Sequence, residues 1–219
     1  MNPIIFVHIP KTAGTSFRAA AEAWFGKRRL LFDYGSQARK TSRVFRDHED
    51  GRLDWSNVVH KVAKSSFVTG HFPAGRYLKD FDPVCFCTFV RDPIQRVISQ
   101  YFHHKNKLGY EKSIENFVED ARFHDHQHRL LAGISLNEMG FVGVTERYTD
   151  SIALFNQRYG TGLKVETRNQ RTRHASETDV PDAVIERIRV NNTRDLELYE
   201  KALQLLDEQL SLPSSVSAR

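Results

Sequence analysis

The feature that most constrains this fold is a strand-to-helix junction near the amino terminus. Ile4-Ile5-Phe6-Val7-His8-Ile9 is an apolar run of β-branched and aromatic residues and reads as a buried strand. Pro10 stops it, and a turn of small residues follows. A helix is expected from Thr15 or Ser16, because Phe17, Ala20, Ala21, Trp24 and Phe25 recur at helical spacing on one face and Gly26 stands where it would end. Strand, tight loop and helix point backbone N–H groups and a positive helix end at an anion. Lys11 adds a mobile charge, and the hydroxyls of Thr12, Thr15 and Ser16 add donors. The candidate cradle is therefore Lys11, Thr12, Ala13, Gly14, Thr15 and Ser16.

The loop is not the nucleotide-triphosphate pattern G-x-x-x-x-G-K-S/T, in which lysine follows the last glycine. Here Lys11 precedes Gly14, and no Gly-Lys-Ser/Thr occurs in the chain. Taken alone, the stretch also fits a turn with a solvated lysine. His8-Ile9-Pro10-Lys11-Thr12-Ala13-Gly14-Thr15-Ser16 resembles the phosphosulfate-binding loop of carbohydrate sulfotransferases, most closely the group with the heparan sulfate 2-O- and 6-O-sulfotransferases. The resemblance implies 3′-phosphoadenosine 5′-phosphosulfate (PAPS) as sulfuryl donor, with no metal required.

Two later segments extend it. Phe67-Val68-Thr69-Gly70-His71 reads as a strand ending in a sharp turn, where Gly70 allows close approach of another group. In open α/β sheets ligands bind beyond the carboxyl ends of the strands, which is where His71 stands. A lone histidine is more often structural; the resemblance makes His71 the catalytic base, with His8, inside the end of the first strand, as a weaker rival. Pro83 to Val90 is a continuous apolar run expected to be a central parallel strand. Cys85 and Cys87, the only cysteines, would share one of its faces as small core residues. Arg91-Asp92-Pro93 ends the strand, with Asp92 as helix cap and Pro93 as first helical residue. On the helix that follows, Ile94, Val97, Ile98, Tyr101 and Phe102 form the buried face, and Gln95, Arg96, Ser99 and His103 the polar one. From the residues, Arg91 is either a phosphate fork or half of an ion pair. Arg91-Asp92-Pro93-x-x-Arg96-x-x-Ser99-x-Tyr101 resembles the same family's 3′-phosphate motif, which assigns that phosphate to Arg91 and Ser99.

Composition sets wider limits. The 219 residues fit one α/β domain, and Lys plus Arg exceed Asp plus Glu by 32 − 27 = 5. That excess suits anionic ligands without selecting among them. No apolar stretch approaches the length of a membrane span. The chain begins almost at its first strand, so neither signal peptide nor anchor is expected, and a bacterial cytoplasmic protein is the simpler expectation. Leu30 to Tyr34 reads as a second strand and residues 35–51 as a long polar loop, whose Arg39, Lys40, Arg43 and Arg46 either hold an acidic acceptor or are simply solvated. His124-x-His126-x-His128 invites a metal reading, but on a helix that spacing scatters the side chains. Residues 125–133 resemble a family segment near the acceptor, with Asp125 or His126 near an expected Asn and His128 at an expected Thr. Phe141 to Thr145 reads as a strand, and Glu146 to Tyr159, Val184 to Val190 and Asp195 to Leu210 as helices. Between them, 167–178 either covers the adenine end of the donor or is a surface loop.

The expectation is a single α/β domain over residues 1–210 and a frayed tail, 211–219. A central, mostly parallel sheet would carry helices on both faces. The resemblance implies a sulfotransferase acting on an acceptor hydroxyl, in the first instance a saccharide or glycoconjugate, without nucleic acid as a partner. Two other classes fit parts of the pattern: a P-loop-type kinase, for which Asp92 is the tempting magnesium ligand, and a non-catalytic nucleotide or nucleic-acid binder, which would not need His71.

Overall fold

The computed structural model describes residues 2–165 and 180–212. Five short strands pair in parallel: β1 (Ile4–Val7), β2 (Leu30–Asp33), β3 (Phe67–Gly70), β4 (Phe86–Val90) and β5 (Phe141–Val144), in the order β2-β3-β1-β4-β5. The central strands are buried along their whole length, as unbroken apolar runs in a helix-flanked parallel sheet must be. In register, Val7 faces Gly70 on one side and Thr88 on the other, while Val90 faces Val144. The chain runs from β1 to β2 and β3 on one side of the sheet, then crosses to β4 and β5 on the other. Connections leaving the carboxyl edge therefore diverge and open a crevice there.

Flanking the sheet are α1 (Gly14–Phe25), α2 (Arg43–Glu49), α3 (Trp55–Ala63), α4 (Pro93–Lys107), α5 (Ile114–Val118), α6 (His126–Leu130), α7 (Tyr148–Tyr159), α8 (Asp182–Asn191) and α9 (Thr193–Ser211). Phe17 seats α1 on the sheet: its ring centroid lies 4.7 Å from Phe6, 5.0 Å from Phe89 and 4.9 Å from Phe155. Truncating a buried phenylalanine of this kind costs about 3–5 kcal/mol. The contact also sets where α1 begins, and so the shape of the loop between β1 and α1. A second apolar cluster joins α4, α5 and α8 through Val97, Ile98, Phe117 and Ile188.

Several expectations need correction. Pro83–Cys85 is a single 3₁₀ turn ahead of β4, closed by the Cys85 N–H donating to the Asp82 carbonyl at 2.9 Å, because proline after Asp82 favours a helical start over an extended one. Cys85 and Cys87 therefore do not share a strand face, although both are free and buried. Residues 35–51 are not all loop: α2 forms there, anchored by the single buried Phe45, too little apolar surface to give a periodic pattern. The reading also leaves α3 unassigned, although Val58 and Val62 are buried one turn apart. Trp24, expected on the buried face of α1, is 50% exposed. The second strand stops at Asp33, and His8 lies just past β1 rather than within it. The expected tail boundary falls at the last residue of α9, and 213–219 lie outside the described residues.

Candidate active site

The residue that follows each strand is His8, Tyr34, His71, Arg91 and Thr145, from β1 to β5 in turn, and all five line one cavity of about 1310 Å³. Short parallel strands in near-level register bring residues far apart in sequence to one edge. Lys11, Ala13, Gly14, Thr15 and Ser16 line the same cavity, as does Ser99 of α4. Thr12 does not.

The β1–α1 loop is held in an unusual backbone shape. Lys11 (φ 72°) and Ala13 (φ 60°) occupy the left-handed region, which non-glycine residues rarely adopt. The buried Thr12 hydroxyl donates to the Ile9 carbonyl at 2.9 Å, and an Arg91 guanidinium N–H donates to the Lys11 carbonyl at 3.2 Å. The Thr12 hydroxyl thus braces the loop from within. The Ser16 N–H also has a partner, the Ala13 carbonyl at 3.0 Å. A helix leaves its first N–H groups without intrahelical acceptors, here those of Ala13, Gly14 and Thr15. Gly14 is there for space: a Cβ would stand 2.2 Å from Cδ2 of the buried His8 ring.

His8 and His71 meet edge to face, ring centroids 4.7 Å apart, and Tyr34 lies against both. The Tyr34 hydroxyl is 3.0 Å from His8 Nδ1. Burial, then the His71 and Arg18 charges, lower the His8 pKa to about 3. Burial of part of the ring and then Arg18 lower that of His71 to about 4. Both imidazoles are neutral at physiological pH. They differ in access: His71 is exposed, whereas His8 is 6% exposed. The Gly70 position is equally tight, since a Cβ there would fall 1.6 Å from the Asp33 carbonyl oxygen. That contact fixes the turn on which His71 stands.

Arg91 is largely buried, and its Nε lies 3.7 Å from the Glu146 carboxylate, an ion pair too long for a hydrogen bond. That Nε has no hydrogen-bond partner among the described residues. Burial and then Arg91 lower the pKa of Lys11, and burial lowers that of Arg91 against the opposing pull of Glu146. Two cations kept in a partly desolvated space, with a buried donor left over, fit an anionic ligand such as a phosphate or sulfate ester.

Arg39 and Lys40 also reach this cavity, whereas Arg43 pairs with Asp47 at 3.1 Å. Arg96 corrects another expectation: it is fully buried rather than on a polar face, with its Nε 3.8 Å from the equally buried Asp195. Among the described residues, no three His, Cys, Asp or Glu side chains come together as a metal site. His124 instead sets Nε2 2.8 Å from the Val118 carbonyl. Residues 167–178, expected over the adenine or as a surface loop, lie outside the described residues. Tyr34 and Arg18 escaped the sequence reading, although the carboxyl-edge rule that singled out His71 applies equally to Tyr34.

A family model described as the sulfotransferase family matches residues 1–133, which include β1 to β4, the β1–α1 loop, His71, Arg91 and Ser99. Comparison with curated proteins gives no match.

Proposed function

The chain belongs to the sulfotransferase family, and from that premise we propose that it transfers a sulfuryl group from PAPS to a hydroxyl of a saccharide or glycoconjugate. The observation that carries this reading is the convergence of Lys11, Arg91 and the open first turn of α1 with the neutral, exposed His71 in one cavity. The amides of Ala13, Gly14 and Thr15 and the Lys11 ammonium hold the 5′-phosphate. Arg91 and Ser99 hold the 3′-phosphate. PAPS supplies an activated sulfuryl group. His71 accepts the proton of the attacking hydroxyl as the new S–O bond forms, while the bond from sulfur to the bridging oxygen breaks. Lys11 offsets the charge left on that oxygen. Placement and charge stabilisation do most of the work, as in phosphoryl transfer.

The test is incubation of the full chain with 35S-labelled PAPS and a panel of saccharide acceptors, with label on the acceptor read by mass and scintillation. Equimolar 3′-phosphoadenosine 5′-phosphate (PAP) and sulfated product are expected. Binding of ATP with magnesium in preference to PAP would overturn the reading in favour of a kinase.

A further inference from the structure

Where β4 ends, the ladder with β5 ends too, at Val90 opposite Val144. The next backbone unit, Arg91, would have a bare N–H and C=O at the most crowded point of the site. One side chain satisfies both. The Gln127 carboxamide oxygen accepts from the Arg91 N–H at 2.9 Å, and its NH₂ donates to the Arg91 carbonyl at 2.9 Å. Gln127 is fully buried. Among uncharged side chains only a primary carboxamide offers a donor and an acceptor side by side, so it stands in for the missing strand.

Gln127 is itself held in place. The backbone N–H groups of Gln127 and His128 donate to the two Asp195 carboxylate oxygens at 3.1 and 2.7 Å. In return, Asp125 accepts from the N–H groups of Arg194 and Asp195 at 3.0 and 3.1 Å. The first turns of α6 and α9 thus cap each other. A largely buried hydrogen-bonded network of this kind is rigid, and it ends on Arg91, which reaches both the β1–α1 loop and the cavity.

We propose that Gln127 is the positioning residue for Arg91, fixing that peptide so that its guanidinium can hold the Lys11 carbonyl and present its remaining N–H groups to the donor's 3′-phosphate. The inference rests on the function proposed above. Gln127 touches no substrate; it acts through Arg91 alone.

The test compares the affinities of PAP and adenosine 5′-phosphosulfate by calorimetry for the wild type, Gln127→Met, Gln127→Glu, Arg91→Ala and the double variant Gln127→Met/Arg91→Ala. Met keeps the bulk and offers neither hydrogen bond. The wild type should prefer PAP, and Gln127→Met should lower that preference about tenfold by weakening PAP alone. In the Arg91→Ala background the same substitution should change nothing further. A structural role would lower the melting temperature and weaken both nucleotides together. If Gln127→Met does not fold, Gln127→Glu serves: it accepts from the Arg91 N–H but donates to the carbonyl only when protonated, so its preference for PAP should rise as pH falls from 8 to 6 relative to wild type. A wild type without preference for PAP overturns the donor reading and this proposal with it. A wild-type preference that survives in Gln127→Met, or no pH-dependent gain in Gln127→Glu, overturns the role of Gln127 alone.

Discussion

The imidazoles of His8 and His71 lie edge to face 4.7 Å apart, one almost buried in the cavity wall and the other exposed. The sheet dictates this pairing. Val7 and Gly70 are partners in register, so the residues after them leave neighbouring strands side by side. His8 is pinned between Tyr34 and the first turn of α1 and forms the floor on which His71 rests. An anion bound above them would offset the Arg18 charge and raise both pKa values.

Stability should fall with acidification more steeply than carboxylate protonation explains. Both histidines have folded pKa values, about 3 and about 4, below their ordinary value of 6.5. Between those limits the unfolded chain binds protons that the folded chain refuses, so unfolding free energy rises with pH there. The contribution is complete above pH 6.5 and is lost as pH drops toward 3. The buried His8 adds a slope of up to about 1.4 kcal/mol per pH unit, and the exposed His71, screened by solvent, adds less. Urea midpoints measured from pH 7 to 4 should show it, and His8→Asn should flatten the curve. An unchanged slope would mean that His8 is not held neutral.

His71→Ala should remove transfer while leaving PAP affinity nearly unchanged. A general base contributes about 10²- to 10⁴-fold, and the adjacent His8 is too enclosed to replace it. Turnover and calorimetry on one preparation decide the point; a variant that keeps most of its rate would move the base elsewhere.

Gly14→Ala should be costly despite its ordinary helical backbone. The added methyl would sit 2.2 Å from the His8 ring, which has no room to retreat against Phe6 and Tyr34. Overpacking of this kind costs about 1–3 kcal/mol. Pairing it with His8→Ala should restore most of the melting temperature. If the double variant is no more stable than Gly14→Ala, the clash is not the cause.

Much of the site was legible because each strand ends abruptly. Pro10, the Gly70 turn and Asp92-Pro93 mark where chain leaves the sheet, and the chemistry sits at those exits. The role of the Thr12 hydroxyl was not legible, since sequence does not say whether a hydroxyl faces a ligand or its own backbone. Arg96 misled for a related reason. Its helical position suits a solvated face, and its partners, Asp195 far along the chain and the Phe123 carbonyl, make burial tolerable. Gln127 lies in the segment that resembles the family's, but that likeness does not tell its partner, because what it completes is a strand end thirty-odd residues before it. Helix α2 was hidden because one buried phenylalanine makes no period.

Arg91 and Ser99 should contribute unequally. Arg91→Ala removes a charged fork and also frees the Lys11 carbonyl, whereas Ser99→Ala removes one neutral hydroxyl. A charge-assisted contact is worth about 1.5–3 kcal/mol, or about ten- to a hundredfold in affinity. Arg91→Ala should therefore weaken PAP by that factor, and Ser99→Ala by a few-fold. Arg91→Lys should recover only part of the loss, since an ammonium cannot span the loop carbonyl and a phosphate together. Full recovery with lysine would reduce Arg91 to a source of charge.

Lys11→Ala should affect turnover more than binding. The ammonium is already partly desolvated and lies close enough to Arg91 for that guanidinium to disfavour its charged state. Ground-state phosphates relieve some of that cost, and the backbone amides at the start of α1 still hold them when the side chain is gone. Charge on the bridging oxygen appears only as sulfur departs, and Lys11 is then the mobile cation beside it. An interaction made mainly in the transition state lowers kcat while leaving ground-state affinity nearly intact. We expect kcat to fall by at least 100-fold and PAP affinity by less than tenfold, with EDTA leaving the wild-type rate unchanged. Equal losses in the two quantities would make Lys11 a plain anchor, and strong inhibition by EDTA would return the chemistry to a metal.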